Sequence, residues 1–75
     1  WLNRGNVLTK QGRYKEATED YTAAITFNPD YSSAYYNRAI AKQKLKLAAE
    51  ACQDLLKAQT LGQEVSEKMK KEICK

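Results

Sequence analysis

The sequence predicts an all-α fold, an α-α superhelix of stacked antiparallel helix pairs with five helices. First, residues 1–31 match residues 35–65 without a gap at eight identical positions, and such a fixed period is typical of stacked repeats. Second, apolar residues recur at helical steps of three and four, and the chain has only one Pro and three Gly. The identical pairs are Asn3/Asn37, Arg4/Arg38, Lys10/Lys44, Glu16/Glu50, Ala17/Ala51, Asp20/Asp54, Ala24/Ala58 and Thr26/Thr60.

The first unit is predicted to contain two helices, over residues 1–11 and 14–27. Gly12 separates them, because glycine readily adopts the left-handed conformation that ends a helix. Pro29 cannot donate a backbone hydrogen bond and disfavours a helical conformation at Asn28, so the second helix should end there. Its buried face is predicted to follow steps of three and four, through Tyr14, Ala17, Tyr21, Ala24 and Ile25.

The second unit repeats this plan, with helices over residues 32 to about 45 and about 48 to 61. Ser32 or Ser33 is expected to cap the first of them, since a serine hydroxyl can accept an amide hydrogen of the first turn. No glycine marks the turn between the two helices. Lys46 stands there, in the place that a glycine holds in the first unit.

Gly62 ends the fourth helix, and a fifth, shorter helix is predicted over residues 64–74. Its apolar side is formed by Val65, Met69 and Ile73, and its other side is mostly Lys and Glu, which suits the outer face of a terminal repeat. Short links between the helices favour antiparallel neighbours. We therefore expect a single domain over residues 1–75, with one repeat at 1–31, a second at 32–62 and a final helix at 63–75.

The charge and hydropathy pattern argues against two classes of partner. The net charge is +4, but the basic residues are interrupted by acids and are not interleaved with the aromatic residues, so no nucleic-acid partner is predicted. No apolar run approaches the length of a membrane span, so no membrane insertion is predicted. The chain opens on Trp1 and not on Met, and we expect it to be a piece of a longer protein.

No catalytic centre, metal site or cofactor is predicted. The chain has no His, and Cys52 and Cys74 form no Cys-x-x-Cys pair. Its three glycines are scattered and form no phosphate-binding loop. A Ser or Cys nucleophile would have no His to activate it. The carboxylates of Glu19 and Asp20 are expected on outer helix faces. The chain is therefore predicted not to be an enzyme.

The first unit resembles the tetratricopeptide repeat (TPR), whose pattern it carries at Trp1, Gly5, Leu8, Ala17, Tyr21 and Pro29. Arg4 and Arg38 depart from that pattern, since they stand where it has Leu. The resemblance implies a right-handed solenoid over residues 1–62, with the last helix as its capping helix. It also implies that small residues make room for the large rings of neighbouring helices. The second unit departs more from the pattern, at Lys42, Leu55 and Gln63.

The resemblance implies a protein-binding module, because the first helices of such units line a concave groove that holds a peptide or a segment of a partner. Lysines and amides in the groove would suit carboxylates and peptide backbone, and apolar residues would suit apolar side chains. A polar stripe without a ligand remains the alternative for the same residues. The groove residues implied are Leu2, Asn6, Thr9, Lys10, Ser33, Tyr36, Asn37, Ile40, Gln43, Lys44 and Lys71.

One subfamily grips the C-terminal carboxylate of chaperone tails with a clamp of Lys and Asn. Asn6 and Asn37 match its two asparagines, and Lys71 could match a basic member. Leu2 stands where the clamp has its first lysine, and Glu67 stands where it has another basic residue. The loss of these two positive charges removes much of the attraction for a carboxylate.

A different class of function remains open, namely a structural spacer or cap within a larger protein. A protein of this kind would pack against its own chain or self-associate through the exposed ends of its repeats. Trp1, Tyr14 and Tyr21 are expected to form such an exposed end.

The two cysteines are predicted to lie at nearly the same height in adjacent antiparallel helices. In an antiparallel helix pair, residues equally far from the turn lie side by side. For a turn at Gly62 and Gln63, the numbers of two such residues sum to about 125, and those of Cys52 and Cys74 sum to 126. A disulfide between them would staple the last helix and would indicate an exported or periplasmic protein. Two half-buried thiols are the alternative, which would suit a cytoplasmic protein.

Overall fold

A computed structural model describes residues 2–74, which form five helices without a strand. The all-α repeat fold predicted from the sequence is confirmed, whereas the expectations placed on Trp1 lie outside the described residues. Neighbouring helices along the chain pack against each other in order. The helices are α1 (Leu2–Lys10), α2 (Tyr14–Phe27), α3 (Ser32–Lys44), α4 (Ala48–Thr60) and α5 (Glu67–Ile73).

Three helices end in the same hydrogen-bonded turn. Gly12, Lys46 and Gly62 each have a positive φ, of 78°, 63° and 103°. In each case the amide of the next residue donates to a carbonyl five positions back, with an N···O distance of 2.9 Å. This is the Schellman motif, which satisfies carbonyls that the end of a helix leaves unpaired. Lys46 therefore adopts the conformation of a glycine, although its side chain disfavours it.

Serine caps one helix, but not the one that we expected. The prediction of a Ser32 or Ser33 cap on α3 is wrong: α3 begins at Ser32, and Tyr31 precedes it without a side-chain cap. The carbonyl of Tyr31 already accepts the Ala34 amide there. Ser66 instead caps α5, where its Oγ accepts from the Met69 amide at 3.1 Å. Because of this cap, α5 starts later than predicted, at Glu67.

Most of the buried apolar side chains form two clusters, and one of these clusters joins the two units. Ala41 of α3 is buried together with Ala17 and Tyr21 of α2, so the second unit contributes to the core of the first. The other cluster holds α5 in place through Ile73, with Val65 and Met69 packed against it. Met69 and Ile73 therefore form the apolar side predicted for the last helix, whereas Val65 packs against the same cluster from the link that precedes α5. The core of that second cluster consists of Ala39, Ala51, Leu55 and Ile73.

A bidentate ion pair, in which one arginine donates to both oxygens of one aspartate, links the two helices of each unit. The Arg4 guanidinium donates to both carboxylate oxygens of Asp20 at 2.7 Å, and Arg38 donates to Asp54 at 2.8 and 2.7 Å. The expectation that Asp20 lies on an outer face is wrong, because it is buried. A buried carboxylate requires such a partner. The recurrence of Arg and Asp in both units therefore repeats one interaction.

The ion pairs shift the pKa values of Asp20 and Arg38. The pKa of Asp20 is held below its ordinary value, chiefly by the hydrogen bonds from Arg4, although burial opposes this shift. The pKa of Arg38 is raised above its ordinary value, chiefly by its hydrogen bonds to Asp54. Lys42, which stands where the first unit has Leu8, lies 3.2 Å from the Asp54 carboxylate. The second unit thus replaces an apolar contact with an additional charge interaction.

Replacing Lys46 with Gly is expected to stabilise the protein by about 0.5–1 kcal/mol, because glycine adopts a positive φ without steric cost. Gly12→Ala, at the equivalent turn, should instead destabilise it by about 1 kcal/mol, since no atom lies near enough to clash and only backbone strain acts. Urea unfolding measures both changes. Gln53→Gly, at an exposed position inside α4, is the control and should cost about 1 kcal/mol. Destabilisation by Lys46→Gly would contradict the turn geometry.

Candidate functional site

A shallow cleft between α1 and α3 collects five of the predicted groove residues. Its lining comes from both units, so it exists only because the units pack side by side. The residues that line it are Asn6, Thr9, Lys10, Asn37 and Ile40, together with Tyr21 of α2.

Tyr21 reaches this cleft from the core because Gly5 has no side chain. A Cβ atom at Gly5 would lie 2.5 Å from Cε1 of Tyr21, which is far inside van der Waals contact. The ring is buried, which corrects the expectation that Tyr21 forms part of an exposed end of the array. Tyr14, placed at the same end, is half-buried. Gly5 thus allows α1 and α2 to approach until the Tyr21 hydroxyl meets the α1 side chains of the cleft.

The Tyr21 hydroxyl fixes the side chain of Asn6. It donates to Oδ1 of Asn6 at 2.7 Å and lies 3.0 Å from Oγ1 of Thr9, which donates to the Gly5 carbonyl at 2.9 Å. Burial raises the pKa of Tyr21, so its proton is retained at neutral pH. Oδ1 of Asn6 also accepts a hydrogen bond from Asn37. With these two partners, the Asn6 side chain is held in one orientation before a ligand binds.

The same network joins the two units and leaves two polar groups for a ligand. Nδ2 of Asn37 donates to Oδ1 of Asn6 at 3.2 Å. Within residues 2–74, Nδ2 of Asn6 and Oδ1 of Asn37 make no hydrogen bond. One amide donor and one carbonyl acceptor are therefore available in the cleft.

One lysine, Lys10, lines the cleft and gives it a positive charge, and a second, Lys44, lies on α3 one turn beyond the cleft residue Ile40. Lys10 and Lys44 lie in the last turns of α1 and α3, and both are exposed. Neither makes an ion pair with any residue from 2 to 74. Ile40, a half-buried residue of the same lining, adds an apolar contact. The cleft therefore combines amide, cationic and apolar groups.

The remaining predicted residues lie apart from this cleft. Leu2 lines a second cleft beside Phe27 and Tyr31, and Tyr36 lines a third beside the link between α4 and α5. Three others occupy outlying positions: Ser33 and Gln43 are half-buried on α3, and Lys71 is exposed on α5.

Sequence reasoning missed Tyr21 as part of the cleft. Its place in the unit indicated a packing residue, and it is one. The signal that could have revealed its second role is the difference between the units: the second unit has Leu55 and Ala39 in place of Tyr21 and Gly5. A hydroxyl present in one unit alone points to a polar role beyond packing.

The two cysteines join α4 to the end of the chain. Cys52 and Cys74 form a disulfide with an S–S distance of 2.12 Å and a Cα–Cα distance of 4.9 Å. The bond lies beside Ile73, the buried residue of α5. It holds α5 against α4, which it contacts.

No metal centre or membrane span is found among residues 2–74. In that part of the chain no three His, Cys, Asp or Glu side chains come together as a metal site. None of its helices is both long and apolar enough to cross a bilayer.

Gly5→Ala is expected to destabilise the protein by about 1–3 kcal/mol, because the added methyl group overlaps the Tyr21 ring. Tyr21→Leu in the same chain should offset part of this loss, since the pair then matches Ala39 and Leu55 of the second unit. Urea unfolding of the two single variants and the double variant gives the coupling energy. Strictly additive losses would contradict the close contact.

Comparison with known proteins identifies the family. The family profile described as TPR repeat matches residues 5–46. The chain is 38% identical over 67 residues to the DnaJ homolog subfamily C member 7 homolog of Dictyostelium discoideum, covering 89% of this chain and 12% of that protein. It is 47% identical over 51 residues to Hsp70-Hsp90 organizing protein 1 of Glycine max, and this match covers 68% of this chain and 9% of that protein.

A third relative is the mitochondrial import receptor subunit TOM70 of Homo sapiens, 41% identical over 65 residues, covering 80% of this chain and 11% of the receptor. The chain thus spans about a tenth of the length of these relatives. No solved structure matches it. The family profile covers more than half of the chain, and it agrees with the helix pairs and the repeat period of the sequence. The chain therefore belongs to the tetratricopeptide repeat family.

Proposed function

We propose that this chain is a non-catalytic protein-binding module that holds an extended peptide segment of a partner in the cleft between α1 and α3. The observation that carries the proposal is the amide pair of Asn6 and Asn37. Their hydrogen bond to each other leaves one donor and one acceptor in the cleft.

This pair suits a peptide backbone, because each peptide unit offers one carbonyl acceptor and one amide donor. The Asn6 side chain is held by Tyr21 and Asn37 before binding. Less side-chain entropy is then lost when a ligand binds, and preorganisation of this kind favours affinity.

The charges around the amide pair favour an acidic partner. Lys10 lines the cleft and Lys44 lies on α3 one turn beyond Ile40, and both are exposed, so they can meet Asp, Glu or a terminal carboxylate. Ile40 offers contact to one apolar side chain. The preferred ligand is therefore an extended segment with an acidic residue near an apolar one. Leu2 lies in a different cleft, so the full clamp of the chaperone-binding subfamily is not proposed.

The relatives support protein binding in general. One is named as an organizing protein of Hsp70 and Hsp90, and another as a mitochondrial import receptor. The first name refers to two other proteins, and the second describes a receptor subunit.

A fluorescent pentapeptide with Asp or Glu beside Leu or Ile, drawn from a degenerate set, tests the proposal by fluorescence anisotropy. Asn37→Ala should weaken binding about tenfold, since it removes a hydrogen bond to a peptide unit worth about 1.4 kcal/mol. Lys10→Ala with Lys44→Ala should weaken it further and reduce its salt dependence. Circular dichroism checks that each variant stays helical.

Lys57→Ala is the matched control, because Lys57 is exposed on α4, away from the cleft. It should leave the affinity unchanged. Equal affinities of the Asn37→Ala and Lys57→Ala proteins would contradict the proposed site. Failure of every peptide in the set to bind would favour the alternative function, a spacer or cap.

A further inference from the structure

The disulfide between Cys52 and Cys74 lies at an accessible place in the fold. Both cysteines are half-buried, and both line a cleft of about 370 Å³. The other residues of its lining are Ala48, Ala49 and Ile73, and the two alanines are exposed at the start of α4. Because alanine side chains end at Cβ, they leave this side of the cleft open. An incoming thiol therefore has room to approach the sulfur atoms.

The helix that the disulfide holds is too short to be stable alone. The helix α5 has seven residues, whereas isolated helices shorter than about 12–15 residues are marginal in water. Ile73 is the residue that α5 buries, and Met69 packs, half-buried, against the same cluster. The position of α5 therefore depends strongly on the covalent bond at its end.

The four longer helices are joined to each other without the disulfide. One Arg–Asp ion pair joins α1 to α2, and another joins α3 to α4. Ala41 of α3 is buried among residues of α2 and so joins the two units. Loss of the disulfide should therefore release α5 and leave the other helices in place.

Release of α5 would change two surfaces of the protein. Ile73 packs in one cluster with Leu55, which is 0% exposed, so its departure would open Leu55 to water. The link before α5 contributes Val65 and Ser66 to the cleft that Tyr36 also lines. That cleft would lose one of its walls. The bond between the cysteines thus decides which surface the end of the molecule presents.

We propose that Cys52 and Cys74 are a site of reversible thiol–disulfide exchange, which a dithiol reaches past Ala48 and Ala49 and which controls the docking of α5. None of the residues that line this site lines the cleft between α1 and α3. Peptide binding in that cleft and exchange at the disulfide are therefore independent, and either can fail without the other.

The exchange transfers two electrons in two steps. A thiolate of the dithiol attacks one sulfur of the disulfide, a mixed disulfide forms, and the electron pair of the broken S–S bond leaves on the other cysteine sulfur, which takes up a proton. The second thiolate of the dithiol then attacks the sulfur of its own molecule in the mixed disulfide. This step releases the remaining cysteine, which also takes up a proton. The dithiol is oxidised to a disulfide, and the chain gains two electrons and two protons.

The test equilibrates the full chain with mixtures of reduced and oxidised dithiothreitol in buffer without denaturant. Alkylation and mass spectrometry give the fraction of reduced chain, and NMR measures hydrogen exchange of the Lys70 and Cys74 amides, which donate to the carbonyls of Ser66 and Lys70. Reduction should lower the protection of these amides at least tenfold and that of α2 less than twofold. Reoxidation should restore it. Equal α5 protection in both states, or reduction that requires urea, would overturn the proposal.

The double variant Cys52→Ser with Cys74→Ser reproduces the reduced state without a thiol. Its α5 amides should have the low protection of the reduced protein at every ratio of reductant to oxidant. Circular dichroism should show that it keeps the helices α1 to α4. Loss of most of its helicity would overturn the proposal, because the disulfide would then support the whole fold and not α5 alone.

Ala49→Leu tests the route of the thiol. The longer side chain covers part of the cleft, so reduction by dithiothreitol should become at least fivefold slower, while the oxidised protein keeps its α5 protection. Lys57→Leu is the matched control, because Lys57 lies on the same helix and does not line this cleft. It should leave the rate unchanged. Equal rates of reduction for the two variants would overturn the proposed route.

Discussion

The contact between Gly5 and the ring of Tyr21 determines both the packing of the first unit and the chemistry of its cleft. Because a Cβ at Gly5 would overlap the ring, only glycine lets α1 lie close enough to α2 for the Tyr21 hydroxyl to reach Asn6. Asn6 in turn accepts the hydrogen bond of Asn37 and thereby connects the second unit. The absence of a side chain at Gly5 thus determines where the amide groups of Asn6 and Asn37 lie in the cleft. The Tyr21 hydroxyl connects the packing of the core to these amide groups.

The two units share one framework but differ in what they add to it. Both use an arginine that binds a buried aspartate through two hydrogen bonds, an arrangement in which a buried charge is satisfied by its partner. The second unit adds Lys42 beside Asp54 and an apolar Leu55 in the core, and it packs against α5. The second unit thus adds a charge interaction and the contact with α5, whereas the first unit adds the Tyr21 hydroxyl that binds Asn6.

The sequence predicted the helices and most of the core, because periodic small and apolar residues report directly on which side of a helix is buried. The interactions across helices were harder to predict. Asp20 was expected on the surface, because it lies in a helix with other acidic residues and these usually face solvent. Its partner Arg4 lies on the preceding helix, and the sequence pattern of α2 alone does not reveal that contact. Lys46 gave no sign of a left-handed turn, because its hydrogen bonds depend on the backbone and not on the side chain. The second role of Tyr21 depends on how far its hydroxyl reaches, which periodicity does not encode.

The central claim is that Tyr21 fixes the groove amides before a ligand binds, and side-chain NMR relaxation of the Asn6 and Asn37 amide groups tests it most directly. In the unbound protein the Asn6 amide should have an order parameter near the value of about 0.85 found for rigid backbone. In Tyr21→Phe, which keeps the ring and removes the hydroxyl, that value should fall clearly while the α1 backbone stays ordered. A mobile Asn6 amide in the original protein, or the same order in both proteins, would contradict the account.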